Sequence, residues 1–452
     1  MRVRAALVAV AVLAALTAEV WSTRTHAGFV VREGTRVTRL VDASRIERET
    51  TLLSAKAHRA GSPANADVAK LVEERLSRIG LKVWDSPFEA EIRDPVRRPL
   101  RNLFALLPGR GSDARPVLVG THYDASGAGS ADPASATAVL LETAEVLAAI
   151  GSGGWKPERS ILFAFWDGGE DGFLGSDAFV EQALRDRTPL PMAYVDVGSA
   201  AQGKEILTRA TPGLRGVLGE VLRAVPDPTA GKPLAGGKVA FPLPGFAGDA
   251  APFVALTTTP VVQLGSAPPP LLARVLALFA GTLASEPVVP YRFTEISDDF
   301  RATLRSLEAR AVSVNDWVGP LQSLRQALDG YEEAAKRWDA GGPRLRRLSA
   351  RKTHAANQLL ERAMDVFGPA GRPSVPWGRG SLLVGPEPGN ESRSAPHASL
   401  ERALLARDFD AIREEASERT RALTQAKELL RAAEWIALGP GRPVRPARAA
   451  PP

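Results

Sequence analysis

The sequence predicts an α/β sandwich with a mostly parallel or mixed central sheet, followed by a C-terminal helical domain. Between residues 81 and 264 short apolar strands alternate with helices, as in a sheet covered on both faces. After about Pro290 strand signals vanish and long Ala/Leu/Glu/Arg segments take over. In addition, His, Asp and Glu residues stand at the ends of several predicted strands, the edge where open α/β sheets build their sites.

In chain order, residues 42–80 read as helical. Val68, Leu71, Val72, Leu76 and Ile79 repeat at helical spacing, and Gly80 stops the run. Leu81–Phe88 and Asn102–Leu107 read as strands, the second ended by Pro108-Gly109. Val117–Thr121 is a short apolar strand that ends at His122. Asp132-Pro133 opens a helix that runs to Ile150, since Asp caps well and Pro suits the first turn. Ile161–Trp166 is uninterrupted apolar sequence, as a buried strand should be. A helix starts at Gly175, and Ala193–Val197 and Pro260–Leu264 complete the strands. In the helical part, Phe300–Val312, Gln322–Trp338, Leu345–Phe367 and Ser399–Ile436 read as helices, interrupted by the Gly/Pro-rich stretch Gly368–Pro396. The division expected is an N-terminal segment at 1–20, an α/β domain at 42–290, a helical domain at 291–437 and a Pro/Arg/Ala-rich tail at 438–452 without a fold of its own.

Composition excludes several functions. There are no cysteines, so thiolate catalysis, disulfides and Cys-based metal sites are out. The net charge is +6, but basic and acidic residues are interspersed and no basic stripe with interleaved aromatics appears, which argues against nucleic-acid binding. Arg2 and Arg4 precede an apolar run, Ala5–Ala18. That run is shorter than the roughly 20 residues a membrane span needs and fits a signal peptide, or an uncleaved anchor, with the body outside the cytoplasm.

Four segments carry polar chemistry: Gly120-Thr121-His122-Tyr123-Asp124, Ala131-Asp132-Pro133, Phe165-Trp166-Asp167-Gly168-Gly169-Glu170 and Tyr194-Val195-Asp196-Val197-Gly198. A His, an Asp and a Glu at one sheet edge suit a divalent metal. Each also has a plainer reading. Asp132 before Pro133 is an ordinary helix cap, His122 and Asp124 can pair at a strand end, and Glu170 can be a solvated loop residue.

Residues Asn102–Ala200 resemble the catalytic core of metallopeptidase family twenty-eight, in the glutamate carboxypeptidase II and transferrin-receptor branch. The segment Gly153–Asp167 and the following Leu174-Gly175-Ser176 carry the likeness most clearly. His58-Arg59-Ala60-Gly61-Ser62 resembles an early turn of that family. Pro287–Arg292, Leu360-Glu361-Arg362-Ala363 and Gly371-Arg372-Pro373 resemble the branch's helical dimerisation domain. The resemblance spans residues 45–437 and implies a three-layer zinc-peptidase-like sandwich with a transferrin receptor-like dimerisation domain, hence a homodimer. The apical domain of the branch has no counterpart, because only Glu89–Arg101 fills its place, and its substrate-gripping arginines go with it.

In such peptidases two zinc ions share a water whose proton a neighbouring glutamate removes. Carried over, His122 matches the ligand of the first zinc, Asp124 the acid that orients it, Asp132 the bridging ligand and Glu170 the ligand of the second zinc. Three positions are lost. Gly169 stands where the general base belongs, Gly198 where a late aspartate belongs, and no histidine lies between His122 and His354, so none directly follows the strand Pro260–Leu264. Asp196, two residues before Gly198, is a candidate surrogate ligand on the same strand face. Asp171 and Asp167 are the alternative bases, the first displaced by two positions and the second already an acid in the family pattern. His26, His58, His354 and His397 are read as non-ligands. The expectation is an exported, dimeric, catalytically degenerate homologue holding one zinc or none rather than two, and binding a peptide or protein ligand. The alternative is an active zinc amino- or carboxypeptidase with a rearranged or single-metal site.

Overall fold

Ile161–Trp166 and Val117–His122 lie side by side at the centre of a mixed seven-stranded sheet. The computed structural model describes residues 28–439 apart from 93–96, 112–113, 129–130, 199–205, 227–231, 235–240, 247, 311–317, 342–347, 369–381 and 388–389. The N-terminal apolar run and the tail beyond Gly439 lie outside the described residues.

The strands are β1 (Lys82–Glu91), β2 (Arg97–Leu107), β3 (Val117–His122), β4 (Ile161–Trp166), β5 (Ala193–Val197), β6 (Leu207–Ala210) and β7 (Val261–Gly265), in the spatial order β1-β2-β4-β3-β5-β7-β6. β4, β3, β5 and β7 run parallel, and β1, β2 and β6 are antiparallel to their neighbours. The chain leaves β3 for β4 on one side and reaches β5 on the other. The carboxyl end of β3 is therefore a switch point, where helix connections diverge and leave a crevice.

One face of the sheet carries α1 (Gly28–Leu40), α2 (Ala43–Ser54), α4 (Ala131–Ser152), α6 (Arg215–Ala224) and α8 (Pro269–Ser285). Helix α3 (Pro63–Arg78) adjoins α4 and the β1–β2 pair. The other face carries α5 (Leu174–Asp186) and α7 (Ala251–Leu256). The stretch Pro133–Ser152 is long and apolar enough to cross a membrane, but 89% of its apolar window is buried in the protein, so it serves as the central core helix. Beneath the carboxyl ends of the strands Trp166, Phe179, Tyr194 and Phe253 form an aromatic cluster, Tyr194 stacking on Phe253 at 4.2 Å between centroids.

The C-terminal part consists of α9 (Phe293–Arg310), α10 (Val318–Ala340), α11 (Ala350–Asp365), α12 (Ala398–Leu405) and α13 (Phe409–Leu438), with a hairpin of β8 (Val384–Glu387) and β9 (Asn390–Pro396). α10 and α11 both pack on α13.

Four sequence expectations change. The helical span at 42–80 is two helices, because the turn around Gly61 (φ 70°) separates them and Ser62 caps α3 through the Asn65 amide. The first two strands are longer than expected: β1 runs on to Glu91 and β2 begins at Arg97, the two pairing as a hairpin arm. Pro87 is accommodated because it lies on an edge strand, and Pro99 because it lies beyond the part of β2 that pairs with β4. The span Ser399–Ile436 is broken at Arg407 (φ 54°), after which Asp408 caps α13. The Gly/Pro-rich stretch includes the β8–β9 hairpin.

Candidate functional site

β3 ends at His122, and two residues later Asp124 is 1% exposed. Asp124 Oδ1 accepts the Gly169 amide at 2.7 Å and Oδ2 accepts the Glu170 amide at 3.1 Å. Its carboxylate thus ties the loop after β4 to the end of β3. His122 Nδ1 lies 3.4 Å from Asp124 Oδ1, yet no aligned hydrogen bond reaches that nitrogen.

The loop that follows β4 is tightly wound, with Gly168 at φ 73°, Gly172 at φ 114° and Phe173 at φ 62° just before α5. Inside it, Gly169 passes so close to His122 that a Cβ there would fall within 2.6 Å of Nδ1 and closer still to the ring carbon Cγ. Gly198 differs: a Cβ would meet only Leu264 O, at 3.5 Å. Glu170 turns outward and its Oε2 accepts the Ser126 amide at 2.6 Å. Asp167 accepts the Asn65 side-chain amide at 2.7 Å and the Arg101 amide at 3.1 Å, which makes it a tie between α3, β2 and β4.

Asp196 is buried on β5. Tyr194 Oη donates to Oδ1 at 3.1 Å, and Gln263 Nε2 donates to Oδ2 at 3.0 Å. The Tyr194 hydroxyl in turn accepts Trp166 Nε1–H at 2.9 Å. Sequence reasoning missed Asp249, which is 3% exposed on the loop entering α7, with the Ser176 hydroxyl 3.3 Å from its Oδ1. The available signal was an Asp three residues before Pro252, at the entrance to a short helix.

Of the remaining sequence candidates, Asp132 stands in the first turn of α4, but its side chain lies outside the described residues, as does His26. Asp171 lies with Glu170 at the rim of the cleft. His58 staples the chain before α3 to the exit of β3. Its amide donates to Ala125 O at 2.8 Å, and its ring nitrogens lie 2.7 Å from Lys56 O and 2.9 Å from Tyr123 O. His354 and His397 belong to the helical part, where His397 is buried against Phe300.

Four carboxylates, Asp124, Glu170, Asp196 and Asp249, lie closely enough to influence His122 or one another. Burial opposes a charge on the imidazole, but Asp124 beside it, with Asp249 and Glu170, raises it to about 10. Burial works against the Asp124 charge too, and His122 and the two loop amides overcome it and lower that acid. Burial raises Asp196 and Asp249, and the charge of His122 pulls both the other way. The charges thus favour a His122–Asp124 ion pair, while burial raises Asp196 and Asp249 above the ordinary carboxylate range.

A mixed sheet with a crevice at the end of β3, ringed by His122, Asp124, Glu170, Asp196 and Asp249, defines a peptidase-like α/β domain. Residues 102–301 match peptidase family M28, and the chain carries a domain of that family, in its glutamate carboxypeptidase and transferrin receptor branch. The chain is 32% identical over 286 residues to a probable glutamate carboxypeptidase, VP8, of Zea mays, covering 52% of this chain and 40% of that protein. It is 34% identical over 131 residues to transferrin receptor protein 2 of Homo sapiens, covering 29% of this chain and 16% of the receptor. The chain thus spans less than half the length of these relatives. Among solved structures, the LapA aminopeptidase of Legionella pneumophila aligns over 56% of this chain and 75% of its own, with a TM-score of 0.44 and 17% identity.

Peptidases of this family are generally zinc-dependent. Among the described residues, no three His, Cys, Asp or Glu side chains are grouped as a metal ion requires. Both oxygens of Asp196 already accept hydrogen bonds, and Gly169 occupies the space beside the His122 ring.

Proposed function

We propose that this protein is a catalytically degenerate member of the peptidase M28 fold that binds its ligand without hydrolysing a peptide bond. Gly169 carries the reading. It stands where the family resemblance calls for a general base, and its backbone lies so close to His122 that no side chain fits without displacing the ring. Loss of the base and repacking of the presumed ligand go together. A site without a group to take the proton from water has lost the step that general-base catalysis supplies. We propose further that the chain is exported and dimerises through its helical part. The exposed Trp435, at 62%, and Leu405, at 60%, give that part apolar surface.

The test is metal content together with hydrolysis. Protein purified without chelator, given zinc and dialysed free of unbound metal, is expected to retain one zinc or none per chain. It is also expected to release no product from a panel of amino- and carboxypeptidase substrates. Two zinc per chain with turnover would overturn the reading. A monomer by light scattering at micromolar concentration would remove the dimer, and recovery from the cytoplasmic fraction would remove export.

A second reading is an active single-zinc peptidase. The Asp124 carboxylate 3.4 Å from His122 Nδ1, an arrangement that orients a ligand histidine, favours it. Stoichiometric zinc and turnover, both abolished by His122→Ala, would select it.

A further inference from the structure

Between α2, α3 and α4 lies a groove of about 280 Å³ that shares no lining residue with the His122 cluster. Ile46, Ile79 and Leu141 line it with apolar surface, and four arginines face three glutamates across it. We propose that this groove binds an oxyanion of phosphorus that keeps a proton, either inorganic hydrogen phosphate or the head of a phosphate monoester. Arg48, Arg75 and Arg78 donate to its oxygens, and Glu49 accepts its hydroxyl.

Helical spacing gathers these groups. Arg45, Arg48 and Glu49 stand three and four residues apart on α2, and Arg75 and Arg78 three apart in the last turn of α3, so each set shares a helix face. Arg45 is committed to the protein: Nε and Nη2 donate to Glu142 at 2.5 and 2.8 Å, and Nη1 pairs with Glu145 at 2.8 Å. The Asp42 amide also donates to Glu142, at 2.7 Å, which fixes the start of α2 against α4. The other cations are not committed in this way. Among the described residues Arg48 and Arg78, both exposed, make no hydrogen bond or ion pair. Arg75 Nε lies 2.8 Å from Glu49 Oε1 but off the line of a hydrogen bond, and both Arg75 Nε and Glu49 Oε2 are buried without a hydrogen-bond partner.

The unfinished Glu49–Arg75 pair decides the ligand class. A buried polar atom without a partner is costly, and a ligand that offers acceptors to Arg75 and a donor to Glu49 relieves both ends. A turn of the Glu49 carboxylate about its last bond, which is a soft torsion, brings either oxygen to the ligand. Guanidinium groups match phosphate oxygens in paired, charge-assisted hydrogen bonds. Sulfate and carboxylates suit the arginines as well, but at neutral pH they carry no proton, so Glu49 confronts a bare anion. Hydrogen phosphate keeps its proton and turns that repulsion into a hydrogen bond. The volume lies just below the about 300–1,000 Å³ of drug-sized clefts, which suits a compact ion.

The test is calorimetric titration of the full chain with inorganic phosphate, sulfate and glycerol phosphate, at fixed ionic strength in chloride. Phosphate is expected to bind, and sulfate to bind roughly tenfold more weakly or worse. Glu49→Gln, which puts a donor where the acceptor stood, should abolish that preference. Arg48→Gln with Arg78→Gln should weaken phosphate by about tenfold while preserving its advantage over sulfate. Both arginines are exposed, so this double variant tests the groove even where Glu49→Gln fails to fold. At about pH 5.5 a phosphate monoester largely holds its proton. Glycerol phosphate that then binds beside phosphate supports an ester head as the ligand, and its exclusion supports the free ion. Sulfate binding as tightly as phosphate, no phosphate binding at millimolar concentration, or a preference that survives Glu49→Gln would overturn the proposal.

Discussion

Gly169 and Gly198 both stand where the family resemblance places a carboxylate, but their surroundings make them different losses. At Gly198 the nearest obstacle to a Cβ is a carbonyl oxygen at ordinary contact distance, so the position has lost a side chain and nothing has moved in. At Gly169 the His122 ring fills the space. Restoring the two residues should therefore have unequal effects. Gly198→Asp is expected to leave the thermal unfolding midpoint nearly unchanged. Gly169→Glu is expected to cost about 1–3 kcal/mol, since an overpacked site must push the ring aside. Denaturant melts of the two single variants check this, and equal costs would contradict the repacking. The same contrast limits what a sequence can show. The anchors Trp166-Asp167 and Leu174-Gly175-Ser176 located Gly169 and the strand Tyr194–Gly198 located Gly198, but only the structure shows which one is sterically locked. Asp249 stayed hidden because its link to His122 is made across the sheet edge, through a loop with no periodicity to read.

The elements were legible in proportion to how local their causes are. β3, β4 and β5 are continuous apolar runs because both faces of the sheet are covered, and α4 announces itself by apolar residues all round. The hairpin arm extends beyond the predicted strands because β1 and β2 pair there with each other alone, a tertiary fact. The break between α12 and α13 has neither Gly nor Pro, and Arg407 takes a left-handed conformation there. That residue carries avoidable strain, so Arg407→Gly should gain roughly 1 kcal/mol in chemical denaturation. At the other end of α12, His397 (φ 53°) donates Nδ1–H to Leu382 O at 2.8 Å, while its Nε2 is buried without a partner. Burial, with the charge of Arg419, lowers this imidazole to about 3. Between that value and the ordinary histidine range near 6.5, the unfolded chain binds the proton and the folded one does not. The stability His397 permits is thus complete above about 6.5 and is lost progressively as pH falls toward 3. His397→Asn, which suits the left-handed backbone and keeps a donor for Leu382 O, should flatten the fall in unfolding midpoint between pH 7 and pH 4. An unchanged slope would show that other groups govern acid sensitivity.

At the scale of the whole molecule, the helical part is joined to the sheet by carboxylates aimed at backbone amides and by ion pairs, beside a modest apolar seam. Glu295 on α9 accepts the amides of Gly213, Arg215 and Gly216, at 2.7, 3.0 and 2.6 Å, and so caps α6 from another layer. Arg215 returns an ion pair to Asp299 at 2.7 Å. Arg115, just before β3, pairs with Asp365 at 2.6 Å and Glu361 at 3.2 Å on α11. Arg159, 1% exposed, donates to the carbonyls of Leu283 and Glu286 at the end of α8, where the chain passes between the two parts. Because these links are directional, a single substitution can test whether the two parts unfold together. The intact chain should show one calorimetric transition. Glu295→Ala orphans three amides at the start of α6 and should cost about 2–4 kcal/mol, each unsatisfied donor being partly rescued by water. It should also split or broaden the transition, the helical part melting first, because the lost contacts lie at the junction and not within either core. A variant that melts in one transition at the parental temperature would show that apolar burial alone couples the two parts. The sheet-edge cleft would then stand on a platform indifferent to its helical neighbour. A split transition, with His122, Arg48 and Arg78 still in the folded α/β part, would allow phosphate titration of that part while the helices are melted, and so separate binding from assembly.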